Sequence, residues 1–426
     1  MKKSKIGIKT IIGFAILVIL ALFLFVYFGV DNSLKRQPPL PEFKNQLNIV
    51  RLDNTKISAD SLSASIVYLM KKAHVDGLAI SIMDSNKLVY QKYFGFKNKS
   101  KRELLKPGTI FYGASLSKTL FADIVLQLVN EKILNLDTPL YKYLLKPLYS
   151  YNANLFQRMT GTNYVDYSDL KDDDRYKLIT ARMCLDHTTG LPNWRSLEEN
   201  KRLKIKFTPG SKYSYSGEGM FLLQFVIEQL TGKSFERLAQ EIELNPLQLK
   251  SSSYVWQRSY EKNYCVGHDK KGNTLGVPKR NAPNAAGSLS TTLEDYSKFF
   301  IAILKQDKPR YKELLTPQIR IKSKQQFGKN AWIETHDNDS INLSYGLGFG
   351  LFNTPYGNAF FKEGHLEGWQ HYVVGFPDKG IGIVIMSNSD NAESIFKELL
   401  EVSIANNYTP WYWEGYVPYD INSGIK

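Results

Sequence analysis

Cysteine is almost missing from this chain: Cys184 and Cys265 are the only two in 426 residues. So few exclude a disulfide framework, and their spacing matches no metal-ligand set. They read as two reduced, buried thiols, with one optional bridge as the alternative. A clustered histidine motif is missing too. Without a His-x-His-x-Asp cluster or an i, i+4 histidine pair, His365, Glu367 and His371 do not read as a metal site. No metal and no cofactor are expected. The formal net charge of +14 is scattered among acidic residues, with no basic helix or arginine-rich run. That argues against a nucleic-acid partner and leaves room for attraction to an anionic surface. No internal repeat is visible.

What is present begins with a long apolar run. Lys2, Lys3, Lys5 and Lys9 precede "IIGFAILVILALFLFVYFGV", residues 11–30. As a helix, 20 residues rise about 30 Å, enough to cross a bilayer core. No small-x-small cleavage site precedes Asp31, so the expectation is an uncleaved, single-pass signal anchor rather than a removed leader. The lysines of residues 1–10 would then be cytoplasmic and the rest extracytoplasmic, in the periplasm or at the cell exterior. Residues 31–58, polar and proline-rich, read as an extended linker.

Beyond it, Leu62, Ile66, Leu69 and Met70 recur at helical spacing over Ser61–His74. "LAISIMD" and "LVYQKYFGF" read as a hairpin turning at Ser85-Asn86-Lys87. A helix opens at Ser115. Residues from about 130 to 285 read as helices and loops, and strand character returns in "SYGLGFGLF", "NAFFKEG", "HYVVGF" and "GIGIVIMSN". A helix follows over about 391–405, then an aromatic tail, 406–426, expected to pack on the domain surface. The expected fold class is α+β. One antiparallel sheet is flanked by the N- and C-terminal helices, a mostly helical subdomain is inserted, and one transmembrane helix precedes the domain at 59–405.

One lysine breaks the helical pattern. On a helix from Ser115, Phe121, Ile124, Val125, Leu128 and Val129 form an apolar arc, and Lys118 falls inside it. An ammonium there costs free energy unless it has a purpose. Ser115 and Lys118 lie one turn apart near a helix N-terminus. A serine there can attack a carbonyl if a base takes its proton, and burial or a second cation makes lysine such a base. Taken alone, a Ser-x-x-Lys spacing more often means a capping serine and a snorkelling lysine.

The spacing is not alone. "FYGASLSKTLFADIVLQLVNEKILNL" resembles the nucleophile helix of serine β-lactamases and penicillin-binding proteins, particularly the class C β-lactamase group. "LDHTTGLPNW" is similar to that family's His-Thr-Ser-Gly-Leu segment. "FTPGSKYSYSGEGM" resembles its Tyr-x-Asn stretch, with Tyr215 at the tyrosine. "AAGSLSTTLEDYSKF" matches a later Gly-x-x-Ser-Thr segment, and Lys362-Glu363-Gly364 stands at the Lys-Thr-Gly triplet. The resemblance implies a membrane-anchored serine hydrolase in which Ser115 is acylated, Lys118 and Tyr215 move its proton, and Lys362 supplies positive charge. It places the oxyanion hole at the backbone N–H groups of Ser115 and His365, and the substrate against Gly217, Gly364 and His365. A peptide-like, ester or β-lactam small molecule is the implied substrate, with the membrane as partner through the N-terminal helix. The alternative is a slow or inactive receptor of the same fold that captures envelope peptides without turnover. His187 is implied to be structural.

Two positions depart from the family pattern. Gly217 replaces the asparagine of Tyr-x-Asn, which is expected to remove hydrogen bonds to an acyl-amide chain and open the pocket. Glu363 replaces the threonine of Lys-Thr-Gly; its side chain is expected to point away from the cavity, with added negative charge nearby as the alternative.

Overall fold

The structure is a computed structural model that describes residues 40–152 and 165–421. Among the described residues, nine strands form one antiparallel sheet: β1 (Gly77–Asp84), β2 (Lys87–Asn98), β3 (Glu103–Leu104), β4 (Ile319–Arg320), β5 (Ser344–Tyr345), β6 (Gly350–Thr354), β7 (Gly357–Leu366), β8 (Trp369–Phe376) and β9 (Ile381–Ser387). Their order is β3-β2-β1-β9-β8-β7-β6-β5-β4, so the two ends of the chain meet where β9 pairs with β1, Ile383 opposite Ile82.

The β1 run is apolar apart from Ser81 and the terminal Asp84 because both sheet faces are covered. Leu78, Ile80 and Ile82 enter a core shared with helices α1 (Ala59–Lys72) and α5 (Phe396–Ile404). Ala79 and Met83 enter a second core on the opposite face, with α2 (Ser117–Asn130), α3 (Gly217–Thr231) and α4 (Leu293–Lys305). Period-two alternation thus sends successive side chains into different cores. Each of α1, α3 and α4 begins at a side-chain cap: Ser58, Ser216 and Thr292 accept from backbone N–H groups in the first turn. The first hairpin turns at Ser85 and Asn86, which both adopt the left-handed region.

The α+β domain with its terminal helices is as expected, and the rest of the fold class is corrected. The expected span over residues 11–30 lies outside the described residues, and among the described residues no helix is long and apolar enough to cross a membrane. The transmembrane helix is therefore not part of the fold described here.

Three further boundaries differ. The presumed linker is folded from residue 48, where Asn48–Val50 pairs with Lys56–Ser58 and buries Ile49 and Leu52. Strands of three residues are too short to show a period. The inserted region contains one long helix, α3; the remaining described residues of 130–285 are short helical turns and loops. The aromatic tail packs on the domain surface, with Tyr412, Val417 and Ile421 exposed, but one of its rings enters the core. Trp413 is fully buried between Phe361 and Tyr213, and Glu414 accepts a 2.7 Å hydrogen bond from the Tyr372 hydroxyl.

Candidate active site

Ser115 lies two residues before the α-helix proper, in the 3-10 turn Ala114–Leu116 that leads into α2. Ala114 adopts φ 46°, a conformation that a Cβ disfavours by about 1 kcal/mol or more. Three contacts hold the turn against residues 286–291. Phe111–Tyr112 pairs with Ser290–Thr291, the Gly113 N–H donates to the Leu289 carbonyl at 2.7 Å, and the Leu289 N–H donates to Ser117 Oγ at 3.0 Å. The His371 ring, wedged behind the turn, reaches the Tyr112 carbonyl through Nε2 at 2.8 Å. Its Nδ1 accepts from the Ser387 N–H, and burial lowers its pKa to about 4. It ties β8 to the turn that carries Ser115.

Lys118 is fully buried. Its Nζ lies 3.0 Å from Ser115 Oγ and donates to the Ala286 carbonyl at 2.5 Å. Both partners are uncharged. Burial, and then the nearby Lys362 cation, hold the amine well below the ordinary lysine range. The apolar arc around it is buried at Phe121, Ile124, Val125 and Leu128.

Tyr215 closes the site from the other side, its ring centroid 5.0 Å from Lys118 Nζ and 4.8 Å from Lys362 Nζ. Its hydroxyl is buried without a well-formed hydrogen bond, but it lies close enough to Ser115 and Lys362 for both to lower its pKa. Burial outweighs them, so the phenol stays above its usual value. His187 positions this tyrosine: its Nδ1 accepts from the Ser216 N–H at 3.2 Å, its carbonyl accepts from the Ser214 N–H at 2.8 Å, and its ring lies 4.3 Å from that of Tyr215.

Lys362 is also fully buried, yet its pKa moves the opposite way. Burial opposes its charge, but the Glu363 carboxylate, 2.7 Å from Nζ, and Tyr215 raise it above the ordinary value. This corrects one expectation. Glu363 does not point away from the cavity; it turns to its own neighbour. Lys362 holds Glu363 ionised against the cost of burial, and Gln326 Nε2 donates to the same oxygen at 2.7 Å.

Gly364 is needed where it stands. A Cβ there would lie 3.0 Å from the Gly113 carbonyl and 3.1 Å from Leu116, so β7 touches the nucleophile turn backbone to backbone. His365 follows as an exposed side chain, with Nδ1 3.7 Å from a Glu393 carboxylate oxygen. Gly217 corrects the second expectation. A Cβ there would fall 2.6 Å from the Trp194 ring and 2.7 Å from the Asn193 carbonyl. The missing asparagine leaves no open pocket, because the Trp194 indole fills its space, 5.7 Å from Lys118 Nζ.

Ser115, Lys118, Tyr215 and Lys362, from three distant segments, thus converge on one place. Trp194, Gln326, Ala286 and Phe327, whose ring meets Tyr215 edge-on at 5.4 Å, were not singled out in the sequence. Ala286 acts through its backbone, which leaves no residue-type signal. Trp194 sits within "LPNW" and could have been noticed as a bulky ring two turns of chain from His187.

A converging serine, buried amine, phenol and second lysine on an α+β sheet define the serine acyl-transfer class of site. The Beta-lactamase family model matches residues 62–404, and the chain belongs to that family. Its relatives include Protein flp of Staphylococcus aureus (strain MW2), 25% identical over 83% of this chain and 68% of that protein. Another is a Beta-lactamase of Pseudomonas fluorescens, 22% identical over 78% of this chain and 95% of that one. Among solved structures, the octameric penicillin-binding protein homologue from Pyrococcus abyssi superposes with TM-score 0.65 at 22% identity, covering 83% of this chain and 79% of that one. A class C β-lactamase gives 0.61 at 18% identity, covering 86% and 96%. These structural likenesses establish the shared fold.

Proposed function

We propose that this chain is a serine hydrolase that works through an acyl-enzyme on Ser115, taking a peptide-like, ester or β-lactam small molecule. One observation carries the reading: a fully buried, pKa-depressed amine 3.0 Å from a serine hydroxyl. A neutral Lys118 has a free lone pair. It accepts the Ser115 proton as Oγ attacks the substrate carbonyl carbon. The carbonyl oxygen takes up the electron pair and is held by the backbone N–H groups of Ser115 and His365. Gly364 permits that arrangement by letting the two backbones approach.

Because Tyr215 stays protonated in the resting site, the amine is assigned as base and the phenol as proton carrier. On collapse of the tetrahedral adduct, Lys118 returns its proton through Tyr215 to the leaving alkoxide or amine, and the acyl group remains on Ser115. Water then attacks that ester with Lys118 again accepting a proton, which releases the acid and restores the serine. Lys362 stabilises negative charge that develops on Tyr215 during transfer.

Purified protein treated with a fluorophosphonate is expected to become labelled on Ser115, and Ser115→Ala to lose the label. Equal labelling of the two proteins would reject the reading. Turnover of nitrocefin, short-chain p-nitrophenyl esters and D-amino-acid peptides then separates the substrate classes. A stoichiometric burst without release would favour the receptor alternative.

A further inference from the structure

Lys362 and Glu363 are neighbours on β7, where strand geometry should send them to opposite faces. They meet just past the end of the β6 pairing: β6 pairs with β7 only as far as Gly350 opposite Phe361, while β8 pairs with the other edge throughout. There Nζ reaches the carboxylate at 2.7 Å. Gln326 holds the carboxylate from a second side, and the loop behind it is fixed. The Gln326 N–H donates to the Trp413 carbonyl at 2.8 Å, and Trp413 Nε1 donates to Ser323 Oγ at 3.1 Å. Glu363 is thus built into the site rather than resting against it.

The charges facing the reacting serine can be counted. Lys118 is held neutral by burial and by Lys362, and the His187 pKa is pushed down chiefly by burial, with Lys362 adding to it. Tyr215 stays a phenol, and Glu414 behind Tyr372 is kept protonated by burial and by Glu363. His365 and Glu393, farther along the edge, lie beside each other. Among the fully buried groups around Ser115, what remains is one cation, Lys362, already engaged by one anion, Glu363. A substrate carboxylate entering here would meet no net positive charge and would have to displace or repel a buried carboxylate.

We propose that Glu363 is a specificity-determining residue: it cancels the site's cation and selects substrates that carry no carboxylate next to the scissile bond. Neutral esters and amides are then accepted, while acids of the same shape are turned away. The proposal rests on the acyl-transfer reading for the meaning of the site, but binding tests it without turnover.

The probes are the depsipeptide phenylacetylglycyl-D-lactate and its carboxamide, titrated calorimetrically into Ser115→Ala protein, which cannot be acylated. The carboxamide is expected to bind about tenfold tighter or more. Adding Glu363→Gln, which keeps the Gln326 contact, or Glu363→Thr, which frees Lys362, is expected to shift the ratio toward the acid by about tenfold each. A preference for the acid before any change at Glu363, an unmoved ratio in both variants, or no binding of either probe would overturn the proposal. Fluorophosphonate labelling of the unmodified protein, whose probe has no carboxylate, reports separately on the acyl-transfer reading.

Discussion

Two lysines lie fully buried within reach of one tyrosine, and their charge states differ. Lys118, on α2, faces a hydroxyl and a carbonyl and is driven neutral; Lys362, on the open edge of β7, faces a carboxylate and is kept cationic. Burial is the same for both. What differs is the partner, and the partner decides whether a buried amine is a base or a fixed charge. Each also sharpens the other, since the Lys362 cation helps to lower Lys118.

The comparison can be broken most strongly at Lys118. Lys118→Met should reduce the rate of fluorophosphonate acylation by about 10³-fold, within the span for loss of a general base. The same variant should be more stable. In the unfolded chain this amine is protonated below its ordinary pKa of 10.5, while the folded site holds it neutral down to a far lower pH, so at neutral pH its charge state favours unfolding. An increase in the thermal midpoint of roughly 2 °C or more with loss of activity would mark a functional group kept at a cost to stability.

At Lys362 the expectation reverses. Lys362→Met leaves the Glu363 carboxylate buried without its partner and should cost about 3–5 kcal/mol, read by urea unfolding. Lys362→Met with Glu363→Gln should recover most of that loss, while acylation stays slow because the charge beside Tyr215 is gone.

The packing around Gly217 gives a smaller effect. Gly217→Ala sets a Cβ against the Trp194 ring and the Asn193 carbonyl and should destabilise by about 1–3 kcal/mol. Trp194→Ala in the same chain should relieve part of it, since the ring but not the carbonyl is removed. If Gly217→Ala is neutral on its own, the indole does not fill that space.

The smallest effect is acid lability. His371 is neutral down to about pH 4 when folded and titrates near 6.5 when unfolded. Its stabilising share is complete above pH 6.5 and is lost as the pH falls toward 4. Urea midpoints should fall across that window, and His371→Gln should flatten part of the decline.

Much of this site is legible in the chain because its main parts are local. Ser115 and Lys118 are one helical turn apart, and an amine inside an apolar arc is an anomaly that periodicity alone exposes. The sheet is legible for the same reason, through apolar runs such as "LAISIMD" and a turn at Ser85-Asn86. The errors arise where distant segments meet. Strand alternation sends Glu363 outward, and only the end of the β6 pairing lets it turn back to Lys362. Nothing near Gly217 announces that Trp194 will occupy the space of a missing side chain. Asn48–Val50 and Lys56–Ser58 are too short to carry a strand period, so they read as linker, and Trp413 becomes core only through Phe361 and Tyr213.

The most direct test is the pH dependence of Ser115 acylation by a carboxylate-free fluorophosphonate. A neutral Lys118 acting as base predicts a rate that is already level at neutral to mildly alkaline pH and declines in acid. Lys118→Met should abolish that profile. A rate that keeps climbing through pH 10.5, the titration of an ordinary lysine, or one untouched by Lys118→Met, would contradict it.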